Sequence, residues 1–207
     1  MPEAIHRPRS VALVGPYGSG KSTLFEALQA CAGVPIRRGS ARTRTAGTEL
    51  KLGHCSYLGD SWSIVDCPGS IEFAYEAAGA LTAVDLAVVV CDAAPERALT
   101  VAPLFKLLED EGVPHIVFVN KIDALAGHVR DTLAALQAYS KQPLVLRQIP
   151  IRDGETVSGY VDVVSERAYR YRKGAASDRV DLPAEMTDRE REARAGLVEV
   201  LADHDDA

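Results

Sequence analysis

From residue 10 to residue 149 the chain alternates short apolar runs with segments whose apolar positions recur at helical spacing. Strands that alternate with helices in this way are typical of a parallel sheet covered on both faces. The predicted strands span residues 11–14, 49–57, 62–65, 85–91, 114–119 and 144–149. The predicted helices span residues 71–82, 101–110 and 128–139, and a further helix after Ser22 carries Leu24, Phe25, Leu28 and Cys31 on one face. We therefore expect an α/β fold with a doubly wound, mostly parallel sheet.

The pattern changes after residue 149. Residues 159–164 predict one short strand, and residues 187–203 predict a closing helix with an apolar face. Between them, residues 170–178 are polar, first basic and then acidic. We therefore expect a sheet domain in residues 1–149 and a small α+β subdomain in residues 150–207.

Amino-acid composition indicates the number of domains and the cellular compartment. The 207 residues are 47% hydrophobic and 25% charged, which suits one globular domain, or one with a small addition. The chain has no apolar run of membrane-spanning length, and its first nine residues form no apolar signal region. We therefore expect a cytoplasmic protein with no membrane partner. Its four cysteines lack C-x-x-C spacing and are interpreted as small buried side chains in a reducing compartment (Cys31, Cys55, Cys67 and Cys91).

The net charge of −6 is unevenly distributed. Residues 181–207 hold nine acidic and three basic residues, so the rest of the chain is neutral. No broad basic field favours DNA, and we expect no DNA partner. A local cluster of four arginines is either a solvated loop or a contact for phosphate or RNA (Arg37, Arg38, Arg42 and Arg44).

One glycine-rich stretch carries the clearest chemical signal. It has the pattern G-x-x-x-x-G-K-S and lies between a predicted strand and a predicted helix: Gly15, Pro16, Tyr17, Gly18, Ser19, Gly20, Lys21 and Ser22, followed by Thr23. In this context the pattern predicts a phosphate-binding loop whose N–H groups hold the β-phosphate. Lys21 is expected to reach the β- and γ-phosphates, and the Ser22 hydroxyl to ligate Mg²⁺. The alternative is a glycine-rich turn with an exposed lysine.

A second polar motif follows the predicted strand at residues 114–119. Asn120, Lys121 and Asp123 form an N-K-x-D box. A carboxylate at Asp123 accepts hydrogen bonds from N1–H and the exocyclic amine of guanine, and adenine offers neither donor at that edge. Lys121 is expected to cover the base, and Asn120 to tie the box to the phosphate loop. The alternatives are a plain turn, or an ATP-dependent protein in which the box is accidental.

A third motif, Asp66-Cys67-Pro68-Gly69, ends the predicted strand at residues 62–65. Asp66 at this place is expected to hold Mg²⁺ through water, and the Gly69 N–H to sense the γ-phosphate. A threonine of the loop at residues 33–47 or just after it is expected to complete the Mg²⁺ ligands in the GTP state. Thr48 is our choice, with Thr43 and Thr45 as rivals and a solvated threonine as the alternative.

These three motifs, in this order, resemble those of the translational GTPases. Residues 148–151 (Gln-Ile-Pro-Ile), 159–164 (Gly-Tyr-Val-Asp-Val-Val), 168–169 and 197–202 resemble the inserted subdomain of bacterial elongation factor G. The similarity extends over nearly the whole chain, and divergent elongation factor G-like paralogues share Gly-Pro-Tyr in the loop and Asp-Cys-Pro-Gly-Ser-Ile-Glu-Phe. The resemblance implies a P-loop NTPase fold, GTP or GDP with Mg²⁺ as cofactors, and the ribosome as partner.

The sequence also departs from that family. Ser70 stands where the family has a water-positioning histidine, so we expect slow GTP hydrolysis. Gly18 replaces an acidic residue, and the loop at residues 33–47 is shorter than the family's first switch. The fifth guanine element lies beyond the inserted subdomain in the family, so the sequence resembles the N-terminal piece of a longer factor or a short form. The rival hypothesis is a binding module that uses GTP as a latch, or binds no nucleotide.

Overall fold

The computed structural model describes residues 9–35, 50–69, 74–125 and 127–205. It divides into two compact units. The first contains the described residues up to Asp92 together with Arg97–Asn120, and the second contains Ala93–Glu96 and the described residues from Lys121 onward. The predicted domain division at residue 149 stays a prediction.

The first unit is built on a five-stranded sheet in the order β2-β3-β1-β4-β5. The strands are β1 (Arg9–Val14), β2 (Lys51–Tyr57), β3 (Asp60–Asp66), β4 (Leu86–Asp92) and β5 (His115–Asn120). Strands β3, β1, β4 and β5 pair in parallel, while β2 pairs antiparallel with β3 as a hairpin. The predicted mixed α/β fold with a mostly parallel sheet is confirmed.

Helices α1 (Lys21–Cys31), α2 (Ala74–Leu81) and α3 (Ala102–Asp110) belong to this unit, and a 3₁₀ helix at Pro95–Val101 leads into α3. Central strands β1 and β4 are buried on both faces, as their continuous apolar runs predict. Leu13 and Val90 are fully buried in one core cluster with Phe25 of α1. Burial of each such side chain contributes about 1.5–3 kcal/mol to stability.

Two segments of this unit are more exposed than their apolar residues indicate. Leu28 and Cys31 are exposed and Leu24 is half-buried, so Phe25 is the one residue of the predicted apolar face that is buried. The predicted strand at 114–119 forms as β5 but lies at an edge of the described sheet, where Ile116 is 53% exposed. Cys67 and Cys91, by contrast, are buried as expected.

The second unit is built on a four-stranded antiparallel sheet in the order β6-β7-β8-β9. Its strands are β6 (Gln148–Asp153), β7 (Thr156–Asp162), β8 (Arg167–Arg170) and β9 (Asp178–Val180). Helices α4 (Val129–Gln137) and α5 (Thr187–Asp205) belong to this unit, with 3₁₀ turns at Ile122–Ala124 and Ala184–Met186. Ile149, Val161 and Ala168 form its core, against which Ala193 and Leu197 of α5 pack.

The predicted strand at residues 144–149 is therefore wrong in its bounds and its sheet. Residues 144–147 are outside any strand, and β6 begins at Gln148 in the antiparallel sheet. The apolar side chains Leu144, Val145 and Leu146 instead line a cleft with residues of α4 and α5. A short apolar run is compatible with either environment, so periodicity alone does not separate them.

Candidate nucleotide-binding site

The glycine-rich loop joins the end of β1 to the first turn of α1. Gly20 is the N-cap of α1 and has a φ of 98°, a left-handed conformation that disfavours a side chain. A Cβ atom at Gly20 would also collide with the side-chain amide of Asn120. That amide donates from Nδ2 to the carbonyl oxygen of Ser19 at 2.8 Å. Asn120, at the end of β5, therefore lies directly against the glycine-rich loop.

Lys21 is the buried cation of this loop. Its Nζ donates to the carbonyl oxygens of Gly15 at 2.8 Å and Pro16 at 3.0 Å, and only 6% of the residue is exposed. Burial lowers the pKa of Lys21 below its ordinary value, and the nearby charge of Asp66 partly opposes that shift. The loop thus holds a desolvated ammonium group, with which an anionic ligand would interact strongly.

Asp66 lies at the end of β3, in register with Leu13 of β1. It is 4% exposed, and its Oδ1 has no hydrogen-bond partner among the described residues. The Oγ of Ser19 is similarly buried and unpaired within the described part of the chain. Unpaired buried acceptors are costly, so both atoms suit a site that takes an additional polar ligand. A carboxylate and hydroxyl oxygens are the ligands that Mg²⁺ prefers, so the residues fit that ion.

The backbone after Asp66 approaches the same loop. A Cβ atom at Gly69 would collide with Lys21 Nζ and would lie 3.0 Å from the carbonyl oxygen of Gly15. A side chain at position 69 would therefore displace the Lys21 ammonium group and press against the backbone of Gly15 and Pro16. Cys67 between them is buried, and its N–H donates to the carbonyl oxygen of Leu13 at 3.0 Å. Burial and the charge of Asp66 raise the pKa of the Cys67 thiol to about 12, so it stays protonated at neutral pH.

The other predicted residues of the loop differ in exposure. Ser22 is half-buried at the start of α1 and Pro16 is half-buried, whereas Tyr17, Gly18 and Thr23 are exposed. The predicted residues Thr48 and Ser70, and the arginines of the cluster, lie outside the described residues. So do Thr43 and Thr45. Pro68 lies between Cys67 and Gly69 in the segment that leaves β3.

Lys121 and Asp123 belong to the second unit. Lys121 has a φ of 56° and precedes the 3₁₀ turn Ile122–Ala124, on which the Asp123 side chain is exposed. The carbonyl oxygens of Ile122 and Leu125 accept hydrogen bonds from Arg152 of β6. Arg152 could not be recognised from the sequence, because residues 152–155 (Arg-Asp-Gly-Glu) indicate only a turn and give no sign of a partner thirty residues earlier.

The chain is similar to known proteins in sequence and in fold. The sequence profile of the elongation factor Tu GTP-binding domain matches residues 6–168. The chain belongs to the translational GTPase family. An elongation factor G-like protein of Synechocystis sp. is 43% identical in an alignment that covers 96% of this chain and 32% of that relative. Peptide chain release factor 3 of Lactobacillus helveticus is 29% identical over 188 residues, which cover 83% of the chain and 36% of that relative.

A solved structure from Thermus thermophilus is similar to this translational GTPase domain in fold. The two superpose with a TM-score of 0.83 at 30% sequence identity, over 95% of this chain and 31% of the other. The chain thus spans about a third of the length of the relatives it matches. Among its described residues, no helix is both long enough and apolar enough to cross a membrane.

Proposed function

We propose that this chain binds GTP and GDP with Mg²⁺ as the G domain of an elongation factor G-like translation factor, and that it hydrolyses GTP slowly. The observation that carries the proposal is the convergence of Lys21, Asp66, Gly69 and the Asn120 amide on one glycine-rich loop. Family membership supports the choice of a guanine nucleotide.

In this proposal the loop N–H groups and Lys21 bind the β- and γ-phosphates. Ser22 and Asp66 would hold Mg²⁺, Asp66 through water, and Thr48 would add a ligand in the GTP state. Mg²⁺, when bound, would neutralise charge on the phosphate oxygens as the bond to the γ-phosphate breaks. Gly69 would donate its N–H toward the γ-phosphate, and Asp123 would accept two hydrogen bonds from guanine.

Slow hydrolysis is proposed from the residue at position 70. A serine hydroxyl is shorter than an imidazole and carries no positive charge, so it orients the attacking water and stabilises developing charge less well. We expect Ser70→His to raise single-turnover GTP hydrolysis in the presence of ribosomes. A variant that hydrolyses GTP no faster, with or without ribosomes, would contradict this role for position 70.

A second candidate function is that of a binding module, or latch, whose conformation changes when GTP binds and which does not hydrolyse it. The serine at position 70 is the observation that favours it. Multiple-turnover GTP hydrolysis by the wild-type chain, with ribosomes added and omitted, separates the two candidates. Release of several phosphates per chain supports the enzyme, whereas tight GTP binding without release supports the latch.

The ribosome is the proposed partner. The arginines at positions 37, 38, 42 and 44 would contact RNA phosphates in that complex, and their contribution would weaken as salt concentration rises. Replacement of all four by glutamine should weaken ribosome binding and flatten its salt dependence. If neither property changes, the cluster is a solvated surface.

A further inference from the structure

The 3₁₀ turn that carries Asp123 is short and has few internal hydrogen bonds. Its backbone bonds run from Ala124 N to Lys121 O at 3.0 Å and from Leu125 N to Ile122 O at 3.3 Å. Short 3₁₀ segments have poor hydrogen-bond geometry and leave carbonyl groups at their ends that need other partners. The orientation of the exposed Asp123 carboxylate therefore depends on what else holds this backbone.

Arg152 supplies that support from the antiparallel sheet. Its Nη2 donates to the carbonyl oxygen of Ile122 at 3.2 Å and to that of Leu125 at 3.0 Å. These two carbonyls lie on either side of Asp123 along the chain. A guanidinium group is planar and always charged, so its hydrogen bonds are stronger and more directional than those of a neutral donor.

Two local features direct Arg152 to the turn. The pairing of β6 with β7 shifts register between Ile151 and Arg152, so that Ile151 pairs with Gly159 but Arg152 pairs with Val157. A shift of this kind bends a hairpin and changes the direction of a side chain. The Leu125 side chain is also buried, which holds the residue after the turn in place. Arg152 binds the carbonyl oxygen of this same residue.

The turn also contains an unfavourable backbone conformation. Lys121 adopts the left-handed region at a φ of 56°, which costs about 1–3 kcal/mol in a residue other than glycine. Such a conformation persists only where surrounding contacts hold it. The bonds from Arg152 to the far end of the turn are contacts of that kind within the second unit.

We propose that Arg152 is a positioning residue for guanine recognition: by binding the two carbonyls that flank Asp123, it holds the carboxylate in the orientation that accepts both guanine donors. This inference rests on the proposed function, because it assumes that Asp123 binds guanine. It makes the antiparallel sheet part of the nucleotide specificity of the protein.

The test compares GDP with inosine diphosphate, which lacks the exocyclic amine of guanine. Both nucleotides present the same phosphates, so the ratio of their dissociation constants reports only the bonds made to the base. A hydrogen bond to a charged group is strong enough for the wild-type chain to bind GDP about tenfold or more tightly than inosine diphosphate.

In Arg152→Met we expect this ratio to fall to within about threefold of one, because a loosened turn no longer presents both carboxylate oxygens. Arg152→Lys keeps a cation on a long stem but replaces the planar fork, so its ratio should lie between the two. Arg147→Met is the matched control, since Arg147 lies just before β6 and pairs with the Asp162 side chain at 3.0 Å. Its ratio should equal that of the wild type.

The outcomes are distinct. A wild-type ratio that survives in Arg152→Met overturns the inference, even if both nucleotides bind more weakly, because that result describes a structural role alone. If Arg152→Met does not fold, a full ratio in Arg152→Lys overturns the inference and a reduced one supports it. A wild-type chain that binds neither nucleotide overturns the proposed function itself, and the inference with it.

Discussion

The glycine-rich loop and the turn that carries Asp123 are held in different ways. In the loop, Ser19 and Lys21 are buried, and the glycines allow backbone, Lys21 and the Asn120 amide to approach one another closely. In the turn, Asp123 is exposed, and the backbone is bound by Arg152 from a strand of the antiparallel sheet. The difference implies that the loop is held by buried contacts at the ends of the parallel strands, whereas the turn proposed to recognise the base is held by a side chain of the antiparallel sheet.

The largest effect is expected from Asp123→Asn, which should change nucleotide affinity but not the free energy of unfolding. Asp123→Asn removes a charged acceptor for two hydrogen bonds, so GDP affinity should fall about a hundredfold and the preference for GTP over ATP should disappear. Because Asp123 is exposed, the free energy of unfolding should change by less than about 0.5 kcal/mol. Competition titration and urea denaturation measure the two quantities.

The exposed carboxylate of Asp188 on α5 provides the control, and Asp188→Asn should change neither quantity. If Asp123→Asn leaves the preference for GTP over ATP intact, the N-K-x-D box is accidental and the ATP-dependent alternative returns.

A glycine substitution tests the loop side of the comparison. Gly20→Ala places a Cβ atom against the Asn120 amide in a left-handed conformation, so it should lower the free energy of unfolding by about 2–3 kcal/mol and weaken nucleotide binding. Gly18 also has a positive φ, of 74°, but a Cβ atom there meets no described atom within 4 Å. Gly18→Ala should therefore cost only about 1–2 kcal/mol. Equal losses in urea denaturation would show that the contact with Asn120 contributes nothing.

The difference between the two regions explains what the sequence could predict. Strand, glycine-rich loop and helix are consecutive, so residues 11–31 predict the loop, and the N-terminal position of Lys21 follows from the motif. The carboxyl ends of parallel strands meet at one edge, which brings Asp66 and Asn120 toward the loop. Each of these predictions needs only local pattern and strand order.

Other features needed tertiary information. The run at residues 144–146 has the composition of a strand but lines a cleft, and periodicity does not distinguish the two environments. The bond from Arg152 to the turn depends on a register shift within a hairpin that no turn residue marks. Side chains that act through main-chain carbonyls leave little trace in sequence, because almost any residue supplies the acceptor.

The smallest expected effect concerns the rate at which a thiol reagent modifies the cysteines, which reports whether Cys67 beside the loop stays buried in solution. Burial raises the pKa of Cys67 and of Cys91 to about 12, so neither forms the reactive thiolate at pH 8. Cys31 is exposed at the end of α1. A thiol reagent at pH 8 should therefore modify Cys31 first and leave Cys67 and Cys91 unmodified until the chain unfolds, as mass spectrometry of labelled peptides would show. Early modification of Cys67 would mean that the loop opens in solution.

Guanine-specific nucleotide binding is tested most directly by titration calorimetry of the purified chain with GTP, GDP and ATP, each with and without Mg²⁺. We predict that both guanine nucleotides bind, that Mg²⁺ strengthens their binding, and that ATP binds at least about a hundredfold more weakly, because adenine offers Asp123 neither donor at that edge. Equal binding of ATP and GTP, or no binding of any nucleotide, would contradict it.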